Sequence, residues 1–321
     1  MALTYTQESD FRQERDFGQK ISATFEFMGA HWRPLGRAML YLVAPVALAQ
    51  GVLTALVQSR VLQSMGSIRQ VHYGAGGSNG VLAAQRAAFS ASVQNPFYYL
   101  SIVLSGLLAS MLILCIYGYV VCCLRPATAA PAEITPADVW AVAKQRIVGT
   151  FFSLYGVFII IGVGFLVLFI PGMYLSIALS LFFVVSMVEG TGFFATMSRC
   201  LTLTRGKWWS TFGVIFIMIV LLYLLIIGFT IVLGLLGASM RGAFVAIGES
   251  PGIFAVVIAA VGTLFSLLLY PPLLLVLAFQ YFNLVERHDG VGLHHLVGQL
   301  GQAPLACPGS TSYHPTEEGE Y

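Results

Sequence analysis

Six long apolar stretches separated by short polar segments dominate the chain. They run roughly over 38–57, 98–124, 148–169, 173–188, 212–236 and 253–283, and none of these cores contains Asp, Glu, Lys or Arg. A membrane-spanning helix needs about 20 predominantly apolar residues, so each stretch is long enough to cross or nearly cross a bilayer. The third and fourth form one continuous apolar block. Ile170-Pro171-Gly172 is the expected dividing point, because proline cannot continue the helical hydrogen-bond ladder and glycine permits a tight reversal. A single long kinked helix is the alternative, and the length of the block favours two short spans.

The polar segments have a pattern of their own. Before the first span, Phe17, Ile21, Phe25, Met28 and Trp32 recur at helical spacing and predict an apolar stripe, which Arg33-Pro34 is expected to end. Before the third span, Thr135-Pro136-Ala137-Asp138 reads as a helix start, with a capping threonine, a proline at the first position and an acid three residues on. Val139, Ala143 and Ile147 then form the apolar stripe. Between the fourth and fifth spans, Phe193, Met197, Cys200, Leu201 and Thr204 share one face, with Ser198, Arg199, Thr202 and Arg205 mostly opposite. Gly206 is placed to stop that helix, and Trp208 and Trp209 suit a membrane interface.

The expected fold is therefore all-α: a polytopic membrane protein of six transmembrane helices with three cytoplasmic interfacial amphipathic helices. Residues 1–290 form one membrane domain. The order of elements suggests a threefold hairpin repeat over 10–124, 135–188 and 191–283, although basic interfacial linkers between hairpins would look much the same. The first loop, 59–96, is the largest external feature. It breaks at the linker-like 74–80 and carries helical patterns on both sides. Pro45 and Pro271-Pro272 are expected to kink the first and sixth spans. Gly106 with Ser110, and Ala255 with Ala259, allow close helix packing. The tail, 291–321, has the composition of a disordered segment.

Composition and charge add orientation. The chain is 58% hydrophobic and 9% charged, against about a quarter charged in soluble domains. Of its 16 Lys and Arg residues, twelve fall on the side of the termini and of the second and fourth connections. Four fall on the other side. The positive-inside rule puts both termini in the cytoplasm. The formal net charge of +2 gives no reason to expect nucleic-acid binding.

The stretch PGMYLSIALSLFFVVSMVEGTGFFATMSRCLTLTRGKWWSTFG resembles a signature of uncharacterised bacterial six-helix inner-membrane proteins. That family is related to the membrane domain attached to some glycerophosphodiester phosphodiesterases. The shared pattern is Pro171 to Tyr174, Glu189-Gly190, Ala195, Arg199 and Arg205 to Trp208. DFRQERDFGQKISATFEFM is similar to the N-terminus of a closer bacterial subgroup. The resemblance implies the bacterial inner membrane and no established activity. In the phosphodiesterase, catalysis belongs to a separate soluble domain.

Glu189, Arg199, Arg205 and Lys207 are the candidate residues, as contacts to lipid headgroups or between repeats. Ten residues of one straight helix would hold Glu189 and Arg199 about 15 Å apart, so helix capping or a basic partner from another repeat is expected for Glu189. The spans carry no Asp, Glu, His, Lys or Arg, which argues against ion-coupled transport. The five cysteines are expected as free thiols. His288, His294 and His295 lack partners for a metal set. No phosphate loop, nucleophile elbow or zincin motif occurs. The reading is a non-enzymatic accessory or scaffold protein without cofactor. Its partners are membrane lipids and a membrane-protein partner or second copy. A permease for a lipophilic or uncharged molecule is the alternative.

Overall fold

The computed structural model describes residues 8–71, 85–86, 89–90, 93–124, 134–246 and 251–290, and not the side chains of 8–9, 58–71, 237–246, 251–260, 263–264 or 266. The elements are α1 (Glu8–Phe11), α2 (Phe17–Leu42), α3 (Ala44–Val71), α4 (Pro96–Leu124), α5 (Pro136–Ala143) and α6 (Ile147–Val167). They continue with α7 (Phe169–Ala178), a 3-10 turn (Leu179–Leu181), α8 (Phe182–Glu189), α9 (Phe193–Thr204), α10 (Trp208–Ala246) and α11 (Pro251–Asp289). No strand occurs among the described residues. Five stretches are long and apolar enough to span a membrane: Pro96–Leu124, Ile147–Val167, Phe169–Glu189, Trp208–Leu236 and Leu267–Asp289. Counted as one span, the bent pair Phe17–Leu42 and Ala44–Val57 brings the number to six. This is an all-α, multi-pass integral membrane protein.

The spans divide by burial. In the most apolar windows of α4 and α11, 61% and 72% of residues are buried inside the protein, against 17% in α6 and 22% in α10. α4 and α11 carry the aromatic core, with Tyr117, Tyr119, Phe279, Tyr281 and Phe282 almost fully enclosed. α6 and α10 turn Phe158, Ile159, Phe216 and Leu224 outward. In a bilayer those side chains meet lipid tails as apolar as themselves.

Three boundaries differ from the sequence expectation. First, α2 does not end at Arg33-Pro34. It runs through Pro34 to Leu42, and the chain then bends by 55° into α3. Leu35, Ala38 and Met39, beyond Pro34, continue the buried face begun by Phe27 and His31. Packing on both sides outweighs the single hydrogen bond Pro34 removes. The bend falls at Val43, two residues before Pro45, which has no N–H to give the Tyr41 carbonyl and whose ring crowds that preceding turn. Second, α3 continues without a break to Val71, so the helical pattern after Arg60 extends the span. The linker-like 74–80 lies outside the described residues, as do the tail and His294 and His295.

Third, the apolar block does divide in two, but at Leu168, the one extended residue between α6 and α7 (φ −158°, ψ 146°). Pro171 sits in the first turn of α7, where its missing N–H has no helical partner to lose. Gly172 serves the crossing: a Cβ there would lie 2.7 Å from the Phe165 backbone nitrogen. Gly106 does the same between α4 and α6, where an added Cβ would overlap the Tyr155 hydroxyl. Tyr155 donates that hydroxyl to the Ile102 carbonyl (3.0 Å).

The face of α2 is also not the expected one. Lys20, Thr24, Phe27, His31, Leu35 and Ala38 are buried, while Phe17, Phe25 and Trp32 of the predicted apolar stripe are exposed. In a membrane-associated helix the surroundings are themselves apolar, so the packed face selects fit and local hydrogen bonding. The Thr24 hydroxyl donates to the Lys20 carbonyl (2.8 Å), and His31 Nδ1 lies 3.2 Å from the Phe27 carbonyl.

The helices expected in the second and fourth connections are present. The Thr135 hydroxyl accepts from the Asp138 amide (3.4 Å), and the Asp138 carboxylate accepts from the Thr135 amide (2.9 Å). This reciprocal cap starts α5, and the fully buried Val139 docks it beside Gly118 of α4.

Candidate functional site

α8 ends at Glu189 because Gly190 adopts a left-handed backbone (φ 70°), which closes the helix by donating its amide to the Ser186 carbonyl (3.1 Å). Gly192 then begins α9. The straight helix that would hold Glu189 and Arg199 about 15 Å apart therefore does not exist. α9 folds back against α8, and a helical side chain leans toward its own N-terminus, so Arg199 reaches back over the turn.

Arg199 Nε donates to Glu189 Oε1 at 3.1 Å, and the pairing judged out of reach for a straight helix is made. Arg199 Nη2 donates to Asp289 Oδ2 at the end of α11. Tyr281 donates its hydroxyl to the same Glu189 oxygen (3.1 Å), and His288 Nδ1 lies 2.6 Å from Asp289 Oδ1. One guanidinium thus ties α8, α9 and α11 together, with the three charged side chains about a quarter exposed. Burial alone would lower the Arg199 pKa, but the bonds to Asp289 and Glu189 more than reverse this and raise it. Two carboxylates share the charge of one arginine. The arrangement joins helices.

Beside this cluster, Cys200 is fully buried and its thiol is pushed up to about 12, by burial first and by the Glu189 charge second. Cys115, Cys122, Cys123 and Cys200 are free thiols, and Cys307 lies outside the described residues. No group of three or more His, Cys, Asp or Glu converges among the described residues.

Arg205 and Lys207 are in the turn between α9 and α10, where Gly206 adopts φ 78°. Both are exposed, and neither side chain forms a hydrogen bond or ion pair among the described residues. Trp208 stacks on Tyr174 (6.3 Å between rings) and on Phe212 (5.4 Å), whereas Trp209 is 75% exposed. The four candidates therefore separate into an enclosed pair and an exposed pair.

A second polar network had no counterpart in the sequence expectation. Arg15 is only 7% exposed. Its amide donates to Asn283 Oδ1 (2.8 Å), and its guanidinium donates to the Phe11 carbonyl (2.9 Å) and the Asp10 carbonyl and lies 5.1 Å from the Phe279 ring centre. Gln280 donates to the Thr211 hydroxyl (2.9 Å), and Arg287 lies 3.7 Å from Glu14. The legible signal was the run FQYFNLVERHD, Phe279 to Asp289: polar residues interleaved with apolar ones where the last span should have ended.

No protein-family model, no curated protein and no solved structure matches the chain.

Proposed function

We propose that the protein is a non-enzymatic accessory or scaffold component of the bacterial inner membrane that works by contact with lipid, its termini facing the cytoplasm. The observation that carries this is the division among its charges. Arg199 is enclosed by carboxylates, while Arg205 and Lys207 stand exposed beside the outward-facing Trp209. The same pairing recurs in the other connections, with exposed Trp140 near Lys144 and exposed Trp32 near Arg33, whose guanidinium lies 5.6 Å from the ring. Tryptophan suits the headgroup level, and each basic residue near an anionic leaflet contributes about 1 kcal/mol. The resemblance to inner-membrane proteins related to the phosphodiesterase membrane domain is in keeping with this reading.

The test is purification of the full chain in mild detergent, with bound lipids and proteins identified together. Enrichment of anionic phospholipid over the bulk membrane, reduced in an R205Q/K207Q variant, is the expected result. A lipid complement equal to bulk in both proteins, with no co-purifying partner, defeats the proposal.

A permease is the second reading, and one observation favours it. Gln50 Oε1, Tyr117 Oη and Gln280 Oε1 are buried without a hydrogen-bond partner. Unpaired polar atoms inside a membrane bundle are costly, and a polar solute would satisfy them. Solute flux in proteoliposomes, lost in a Q280L variant, would move the assignment there.

A further inference from the structure

A cavity of about 250 Å³ lies where the start of α6 meets the end of α8 and the start of α9. Its wall on α6 is formed by Arg146, Gly149, Thr150 and Ser153. These positions are spaced by three, one and three residues, one face of a helix. That face is polar at the base of a span whose other residues are almost all apolar. Across from it stand Ser186, Thr191 and a wall that includes Phe193. No Asp or Glu lines the space.

The hydroxyls set this cavity apart. Elsewhere in the spans, Ser105, Ser110, Ser176, Ser180 and Thr230 turn their hydroxyls onto a carbonyl three or four residues back. Such back-bonding satisfies a polar group in apolar surroundings. Thr150 and Ser153 are half-buried, yet their side chains form no hydrogen bond among the described residues. Arg146 uses one guanidinium nitrogen on the Ser186 carbonyl (2.7 Å), which orients the group and leaves its other donors open. A cation held beside free hydroxyls, with no acid opposite, is selective for an oxyanion. The helices α6 and α9 both start at this cavity without a side-chain cap, which adds favourable field for a negative charge.

We propose that this cavity binds the phosphate of an anionic phospholipid headgroup, held by Arg146 with Thr150 and Ser153. The volume decides how much of the lipid enters. Sites that enclose a whole drug-sized ligand measure roughly 300–1,000 Å³. A smaller space takes the phosphate and its glycerol, while the acyl chains stay in the bilayer along the exposed apolar face of α6. The inference rests on the lipid-contact reading and gives it a defined site, distinct from Arg205 and Lys207. The same phosphate chemistry is offered by a soluble phosphate ester, so the test separates the two sources.

The experiment is native mass spectrometry of the full chain, delipidated in detergent and titrated with phosphatidylglycerol or with phosphatidylcholine. Four variants accompany the wild type. R146Q removes the charge and R146K keeps it. G149L fills the cavity from a position where an added Cβ meets nothing within 4 Å, and its melting temperature is read beside its lipid retention. R205Q/K207Q removes the exposed pair. The expected result is one retained phosphatidylglycerol per chain, with retention at least tenfold lower in R146Q and G149L and within threefold of wild type in R146K. Phosphatidylcholine should be retained at least tenfold less than phosphatidylglycerol. Displacement of the lipid by millimolar inorganic phosphate would keep the phosphate site and assign it to a soluble ester. Retention in R146Q and G149L equal to wild type overturns the proposal. In that case loss in R205Q/K207Q leaves the lipid-contact reading standing, and no loss there removes both.

Discussion

Replacing Gly172 by alanine tests the close crossing of α6 and α7, on which the two-span hairpin depends. A Cβ at this position would sit 2.5 Å from Phe165 Cγ and 2.7 Å from the Phe165 backbone nitrogen. Ordinary contact begins at about 3.5 Å. One of the two atoms is backbone, so a rotamer change cannot relieve the overlap, and the helices must separate by about 1 Å at their closest point. Overpacking of this kind costs about 1–3 kcal/mol. Alanine also returns about 1 kcal/mol of helix propensity over glycine, so the bare substitution understates the clash. Gly162, in α6 on the other side of the crossing, supplies the control. Nothing lies within 4 Å of a Cβ there, so G162A keeps the propensity gain alone. The difference between G172A and G162A isolates the clash at about 1–3 kcal/mol, or roughly 2–8 °C in apparent melting temperature. The assay is thermal unfolding of detergent-solubilised protein followed by fluorescence-detected size exclusion, at one scan rate because such unfolding is rarely reversible. G172A melting at or above G162A would refute the crossing and the hairpin geometry built on it.

R199A should destabilise the chain by about 1–3 kcal/mol, since it leaves Glu189 and Asp289 facing one another without their shared cation. E189Q should cost less, because an amide oxygen still accepts from Tyr281 and Arg199, and equal melting of R199A and wild type would show that the cluster contributes nothing. In single-cysteine variants at pH 8, maleimide should label Cys122 and spare Cys200, whose raised thiol pKa keeps it protonated. A thiol at about 12 in the folded chain and 9.0 when free adds stability below pH 9 that is lost as pH climbs toward 12, and C200A should flatten that fall. Cysteine-accessibility mapping should place residues introduced at Arg12, Lys144 and Lys207 on one side of the membrane, and labelling from opposite sides would overturn the orientation.

Five of the six expected spans and their approximate positions were legible in the sequence because a helix must satisfy its backbone internally and offer about 20 apolar residues to lipid. Local signals were legible for the same kind of reason. The Thr135–Asp138 cap and the left-handed Gly206 depend on neighbours in the chain; the cap occurs as expected, and Gly206 shapes the turn just after α9, which ends at Thr204 with Arg205 extended. The spans' inner and outer faces were not legible. In water, apolar residues mark the buried side, but beside a bilayer Phe17, Phe25 and Trp32 face out and Lys20, Thr24 and His31 face in.

The candidate residues divide along the same line. Glu189 and Arg199 stood out as isolated charges between apolar runs, and their residue types alone suggested a polar contact. Their pairing required a reversal at Gly190 and the arrival of Asp289 and Tyr281 from another helix some 90 residues away. Arg15 gave no sign of burial, because Asn283 and Phe279, the residues that enclose it, lie at the other end of the chain. Arg146 read only as a topology marker until the α6 start was set against α8 and α9. Which stretches are apolar enough to cross a membrane, and where most of the helices start and stop, is written in consecutive residues, since hydrophobic length and local hydrogen bonding settle both. Which charges are enclosed by carboxylates and which stand without one emerged with the folded chain alone, because helices from distant parts of the sequence must come together to make that difference.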